Sequence, residues 1–141
     1  MSTDIVADPF ESSQAAVAAR IGEILDAVVR KDFERLAGYH LDGPKFTKFD
    51  DVEPLERQDA ATSARLEEEQ FSGVEDLQAT FDGLQIDVFG PVAVATGVFV
   101  WSCLAEGRRV SGRSRTTLVF VDHGGQWLIA HEHSSPFVAG P

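Results

Sequence analysis

The stretch from residue 74 to residue 135 limits the possible folds more than any other part of the chain. It reads as four β-rich segments, "VEDLQATFDGLQIDVFG", "VAVATGVFVWSCLAEG", "RRVSGRSRTTLVFVDHGG" and "QWLIAHEHSS", with turn residues where one gives way to the next. Gly90-Pro91, Glu106-Gly107 and Gly124-Gly125 are two-residue connections, which make hairpins, so the spacing predicts an antiparallel sheet. Gly83, Gly97 and Gly112 fall inside the segments, where glycine marks a bulge or a sharp bend. Long strands with internal bends predict a curved sheet.

The N-terminal half has the other periodicity. Val17, Ile21, Ile24, Leu25, Val28 and Val29 recur at helical spacing, with Ser12 or Ser13 as the expected cap. "KDFERLAGYH" predicts a shorter helix capped by Asp32, and "KFTKF" a short strand after Gly-Pro turn chemistry. "LERQDAATSARLEEEQF" predicts a third helix whose "LEEEQ" run is a solvated face. Helices first and a bent antiparallel meander after them define an α+β fold, with N-terminal helices packed on a strongly curved antiparallel sheet. Where such layers diverge they form a cone with an internal pocket. The expected boundaries are a flexible arm over residues 1–11, one domain over 12–135 and a tail over 136–141.

A net charge of -11 argues against nucleic acid and anionic membrane as partners, because phosphates repel such a surface. No basic and apolar leader opens the chain and no apolar run nears ~18 residues, so the expectation is a cytoplasmic protein. Cys103 is the only cysteine, which rules out an intrachain disulfide, and its apolar neighbours predict an inert thiol.

The candidate chemistry starts at "QWLIAHEHSS". Strand alternation puts His131 and His133 on one face with Trp127 and Ile129, and Leu128, Ala130, Glu132 and Ser134 on the other. The histidines therefore continue a row that another layer covers, where a group titrating near neutrality suits proton transfer. Arg113 and Arg115 share a face, and a guanidinium beside the pocket would orient a carboxylate or enolate. Two histidines alone do not complete a catalytic metal site, although His40, Asp42 or Asp50 could add a ligand, so neither metal nor cofactor is expected.

The order helix, helix, short strand, helix and four long strands resembles the nuclear transport factor 2-like superfamily. "RTTLVFVDHGGQWLIAHEHSS" is similar to the last hairpin of its SnoaL-like and kinase-association-domain-like members, and the resemblance covers residues 12–135. It implies either an enzyme related to ketosteroid isomerases, polyketide cyclases, epoxide hydrolases and dehydratases, or a non-catalytic association module. The ketosteroid-isomerase oxyanion pair does not carry over: the first helix has no tyrosine and Val92–Leu104 has no acidic residue. Tyr39, Asp42, His131 and His133 do supply the residue types of scytalone-type dehydratases.

Together these readings predict a small-molecule-binding protein that acts as a lyase, isomerase or cyclase. His131 or His133 would transfer the proton and Tyr39 would stabilise an oxyanion. Arg115, Asp42, His40, Trp101 and Trp127 would contact the ligand, a small apolar or acidic molecule. The alternative is a dimeric association or ligand-carrying module. A homodimer through the sheet is expected in either case, because the strands carry more apolar side chains than one covered face absorbs.

Overall fold

The computed structural model of the protein describes residues 4–137. Helix α1 (Glu11–Arg30) buries Val17, Ile21, Ile24, Ala27 and Val28 on one face. It starts at Phe10, whose φ is positive and whose side chain gives no cap, rather than at Ser12 or Ser13. Lys31 ends it in the left-handed conformation, its N–H satisfying carbonyls of the last turn. Helix α2 (Phe33–Gly38) is capped by Asp32 as expected, and the short strand β1 spans Thr47–Phe49.

Helix α3 (Ala60–Ser72) begins later than its pattern suggests. Asp59 caps it through the Thr62 N–H, and Gln58 is engaged in a bridge with Lys48. The four long strands are β2 (Glu75–Phe89), β3 (Val92–Ala105), β4 (Arg108–His123) and β5 (Gln126–Pro136). Pro136 thus belongs to the sheet rather than to a tail, and residues 138–141 lie outside the described residues. The arm expected over residues 1–11 is described from residue 4, and its last residue, Glu11, is already helical.

The sheet order is β1-β5-β4-β3-β2. The three hairpins are antiparallel as the turns require, but β1 joins the edge of β5 in parallel, so the sheet is mixed rather than wholly antiparallel. Glu106 and Gly107 have φ of 52° and 77°, and Gly124 and Gly125 have 60° and 86°, the paired positive values that match strand twist in a two-residue turn. Gly83, at φ 61°, sits in a bulge of β2 between Asp82 and Gln85. The helices cover the concave face of this curved, open α+β sheet, and Phe46, Phe120, Ile21, Ile129 and Val17 are the largest fully buried side chains.

A second bulge has larger consequences. Val119 pairs with His131, yet the adjacent Phe120 pairs with Ile129, so Ala130 is an extra residue on β5. The alternation slips by one at that point. Trp127 and Ile129 face inward, and Glu132 and Ser134 continue their row, while His131 and His133 turn to the outer face. The face expected for the two histidines is therefore reversed.

Candidate functional site

Between α1, α3 and the concave sheet lies a partly open cavity of about 260 Å³. This is slightly below the range of ~300–1,000 Å³ common for ligand pockets and suits a molecule of one or two rings. Ile24 and Val28 of α1, Phe71 of α3, and Phe81, Phe99 and Trp101 of the sheet make its apolar wall. Phe81 and Phe99 pair across β2 and β3 with ring centroids 5.4 Å apart. Trp101 fits because its cross-strand partner is Gly112, where a Cβ would come within 2.6 Å of the indole.

The opposite end is charged. The register between β1 and β5 sets Lys48 directly against Glu132, on the inward side of both strands. Lys48 is 5% exposed, and its Nζ lies 3.1 Å from Glu67 Oε1 and 3.2 Å from Glu132 Oε2. His40 reaches the same group from the segment after α2, where Tyr39 and Leu41 exchange backbone hydrogen bonds with Ile129 and alternation turns His40 inward. Its Nδ1 donates to the Leu36 carbonyl at 2.8 Å, which aims Nε2 at Glu67 and Glu132, 3.9 Å and 3.8 Å away.

Burial disfavours charge on every member of this group, but the members decide one another's state. Desolvation would lower the His40 pKa, yet the two carboxylates outweigh it and hold the imidazole above its usual value. Lys48 is raised for the same reason, against its own burial. Glu132 is held well below the usual carboxylate range, because Lys48 and His40 overcome its desolvation. Lys48 and His40 are thus set against Glu67 and Glu132.

Asp50 and Asp51 lie outside that balance and also line the cavity. Ser114 Oγ donates to Asp51, while Asp50 Oδ2 is 4.0 Å from Lys48. Burial raises the Asp50 pKa, the neighbouring Asp51 adds to the rise, and Lys48 opposes it. A carboxyl raised in this way holds its proton more readily than an ordinary aspartate, the direction that acid–base work calls for.

Of the expected site residues, His40 and Trp101 meet at the cavity and the rest do not. Trp127 is core. Tyr39 is held on the far side of the chain, its hydroxyl accepting from Arg35 at 2.7 Å and its ring under Arg20. Asp42 is exposed in a depression beside α3 that shares only His40 and Glu67 with the cavity. Arg115 and His133 share a shallow groove on the outer face, and His131 bonds Thr47 there. Glu67, expected to be solvated with its neighbours, points inward instead, its side chain only 13% exposed. Lys48, Asp51, Glu67 and Glu132 were not expected at the site, and Asp50 was named only as a ligand that could complete a metal site with the two histidines. A lysine two residues after Phe46, and so on the same inward row, is the one sequence signal that pointed to them.

Helices closing a curved sheet over a single-ended charged cavity define a nuclear transport factor 2-like cone. The chain belongs to the SnoaL-like domain family, whose model matches residues 17–139. Among solved structures it is similar to a candidate dehydratase of the nuclear transport factor 2-like family from Streptomyces avermitilis, with 18% identity and a TM-score of 0.83 over 94% of this chain and 100% of that one. A nuclear transport factor 2-like protein of unknown function from Pseudomonas putida KT2440 gives 20% identity and 0.80 over 93% and 92%. The association domain of calcium/calmodulin-dependent protein kinase II from C. elegans gives 22% and 0.72 over 91% and 99%. No curated protein matches the chain at a significant level.

Proposed function

We propose that the protein binds a small, largely apolar molecule with a neutral or cationic polar end and moves a proton on it with Asp50. The observation that carries this reading is that Asp50 lines the same cavity as the apolar wall, 4.0 Å from Lys48, with its pKa raised. Trp101 and the Phe81–Phe99 pair offer flat apolar surface for a ring. Lys48 and His40 hold the floor rigid and supply positive potential near a developing oxyanion. The reaction class is acid–base: isomerisation, cyclisation or dehydration. Acidic ligands fit poorly, since Arg115 faces the other side and four carboxylates border the cavity.

The test is exchange of solvent deuterium into the carbon next to the carbonyl of small cyclic ketones, followed by NMR. The native protein should accelerate exchange and Asp50→Asn should abolish it, while both are stabilised by the same ketones in thermal unfolding. Full exchange activity in Asp50→Asn, or a native protein that neither binds nor exchanges any of them, would sink the reading.

A second reading, an association module, is favoured by the likeness to the C. elegans association domain and by half-buried apolar side chains on the outer sheet face.

A further inference from the structure

The cavity holds more carboxylate than its own cations answer. Lys48 Nζ lies 3.1 Å from Glu67 and 3.2 Å from Glu132, and His40 stands against the same two glutamates. Asp50 and Asp51 are left over. Lys48 Nζ is 4.0 Å from Asp50 Oδ2, and among the described residues no ion pair includes Asp51.

These two carboxyls are held in place without being neutralised. The Asp51 N–H donates to Asp50 Oδ1 at 2.8 Å, and the Ser114 hydroxyl donates to Asp51 Oδ2. Asp50 Oδ2 and Asp51 Oδ1 accept no hydrogen bond among the described residues. Burial and the neighbouring Asp51 both raise the Asp50 pKa, so the pair sits in a place that disfavours its charge. A ligand's positive charge would relieve that.

Two further observations point to an organic ligand rather than a loose ion. Phe71, Phe81, Phe99 and Trp101 line the same cavity, and a ring face attracts an ammonium as well as packing on another ring. His40 Nε2 is buried without a hydrogen-bond partner, on a side chain only 9% exposed that also lines the cavity. Buried polar atoms are nearly always paired. With Nδ1 given to the Leu36 carbonyl, Nε2 accepts when the ring is neutral and donates when it is protonated. A hydroxyl, which can do either, suits it in both states.

We propose that the cavity takes a protonated amine carrying a ring and a hydroxyl. Asp51 Oδ1, beside Asp50, would hold the ammonium, the ring would lie on Trp101 and the Phe81–Phe99 pair, and the hydroxyl would meet His40. This rests on the small-molecule reading above and fixes as cationic the polar end that it leaves open. An ammonium held by Asp51 leaves Asp50 Oδ2 for the proton assigned to it.

Isothermal titration calorimetry of the full chain with phenylethanolamine, styrene glycol and mandelate tests the proposal. The three share a ring and a hydroxyl and differ in bearing an ammonium, a second hydroxyl or a carboxylate. Salt at about 0.15 M screens the exposed acids of the surface. Phenylethanolamine should bind once per chain and at least about tenfold tighter than styrene glycol, the worth of a hydrogen bond to a charged group. Mandelate should bind more weakly than either. Asp51→Asn keeps an acceptor for Ser114 and removes the charge, so it should erase most of the amine preference and leave the glycol's affinity as it was. A native protein that binds the glycol as tightly as the amine, or binds none of the three, overturns the proposal. So does an Asp51→Asn chain that folds and keeps the preference, which would place the amine at surface acids. If that variant does not fold, the native ranking of the three probes decides alone. Failure here with ketone exchange intact leaves the proton-transfer reading standing. A selective amine site in a protein whose Asp50→Asn variant still exchanges ketones sinks that reading and not this one.

Discussion

Taking an ammonium or a carboxylate out of water costs several kcal/mol unless opposite charges surround it. Lys48 and Glu132 meet that condition through each other, through Glu67 and through His40. The state of His40 therefore bears on stability. Its folded pKa lies above the unfolded value of 6.5, so its contribution is present in full below 6.5 and is lost as pH rises through the folded value. Stability should thus fall from mildly acidic toward alkaline pH by an amount that His40→Gln removes. Urea denaturation of both proteins between pH of about 6 and about 9 measures it, and equal slopes would refute it. Glu132 has the opposite sign: its depressed pKa gives stability above the unfolded carboxylate value that is lost as acid approaches the folded one.

At the level of elements, the paired positive φ values at Glu106-Gly107 and Gly124-Gly125 and the bulge at Gly83 were legible because each needs a left-handed backbone that glycine advertises. The bulge at Ala130 is marked by no glycine, so strict alternation through "WLIAHEHSS" misassigned every side chain after it. That one extra residue exchanges Glu132 for His131 at the cavity. The parallel pairing of β1 was equally hidden, since nothing local tells a short edge strand which neighbour it joins, and with it went the Lys48–Glu132 contact. Gly112, read from the sequence as a bulge or bend, lies in an unbroken β3–β4 register instead. It makes room for Trp101, so Gly112→Ala should drive the indole into the cavity, costing ~1–3 kcal/mol and abolishing ligand-induced stabilisation. Thermal unfolding with and without a bound ketone decides this, and an alanine variant that binds as the native protein does would refute it.

For the molecule as a whole, two electrostatic effects of different range would act on self-association, the second functional reading. Each copy carries a net charge of -11, and the repulsion between copies acts across the full width of the pair. Taken as point charges ~30 Å apart in water without salt, it would be on the order of 10 kcal/mol, an upper bound for charge spread over a surface. Screening removes it quickly, because the Debye length falls from ~30 Å at ~0.01 M salt to ~10 Å at ~0.1 M. Ion pairs across an interface between copies would act at contact distance and outlast that first change, weakening only when the Debye length nears ~3 Å at ~1 M. The apolar strip of Val94, Val98 and Val100 does not weaken with salt. Association should therefore tighten as salt rises toward ~0.1 M and then level off or loosen slightly toward ~1 M. Sedimentation equilibrium across that range tests the balance. Association strongest at the lowest salt and weakening steadily would mean that exposed pairs alone hold the copies together, not the half-buried valines of β3.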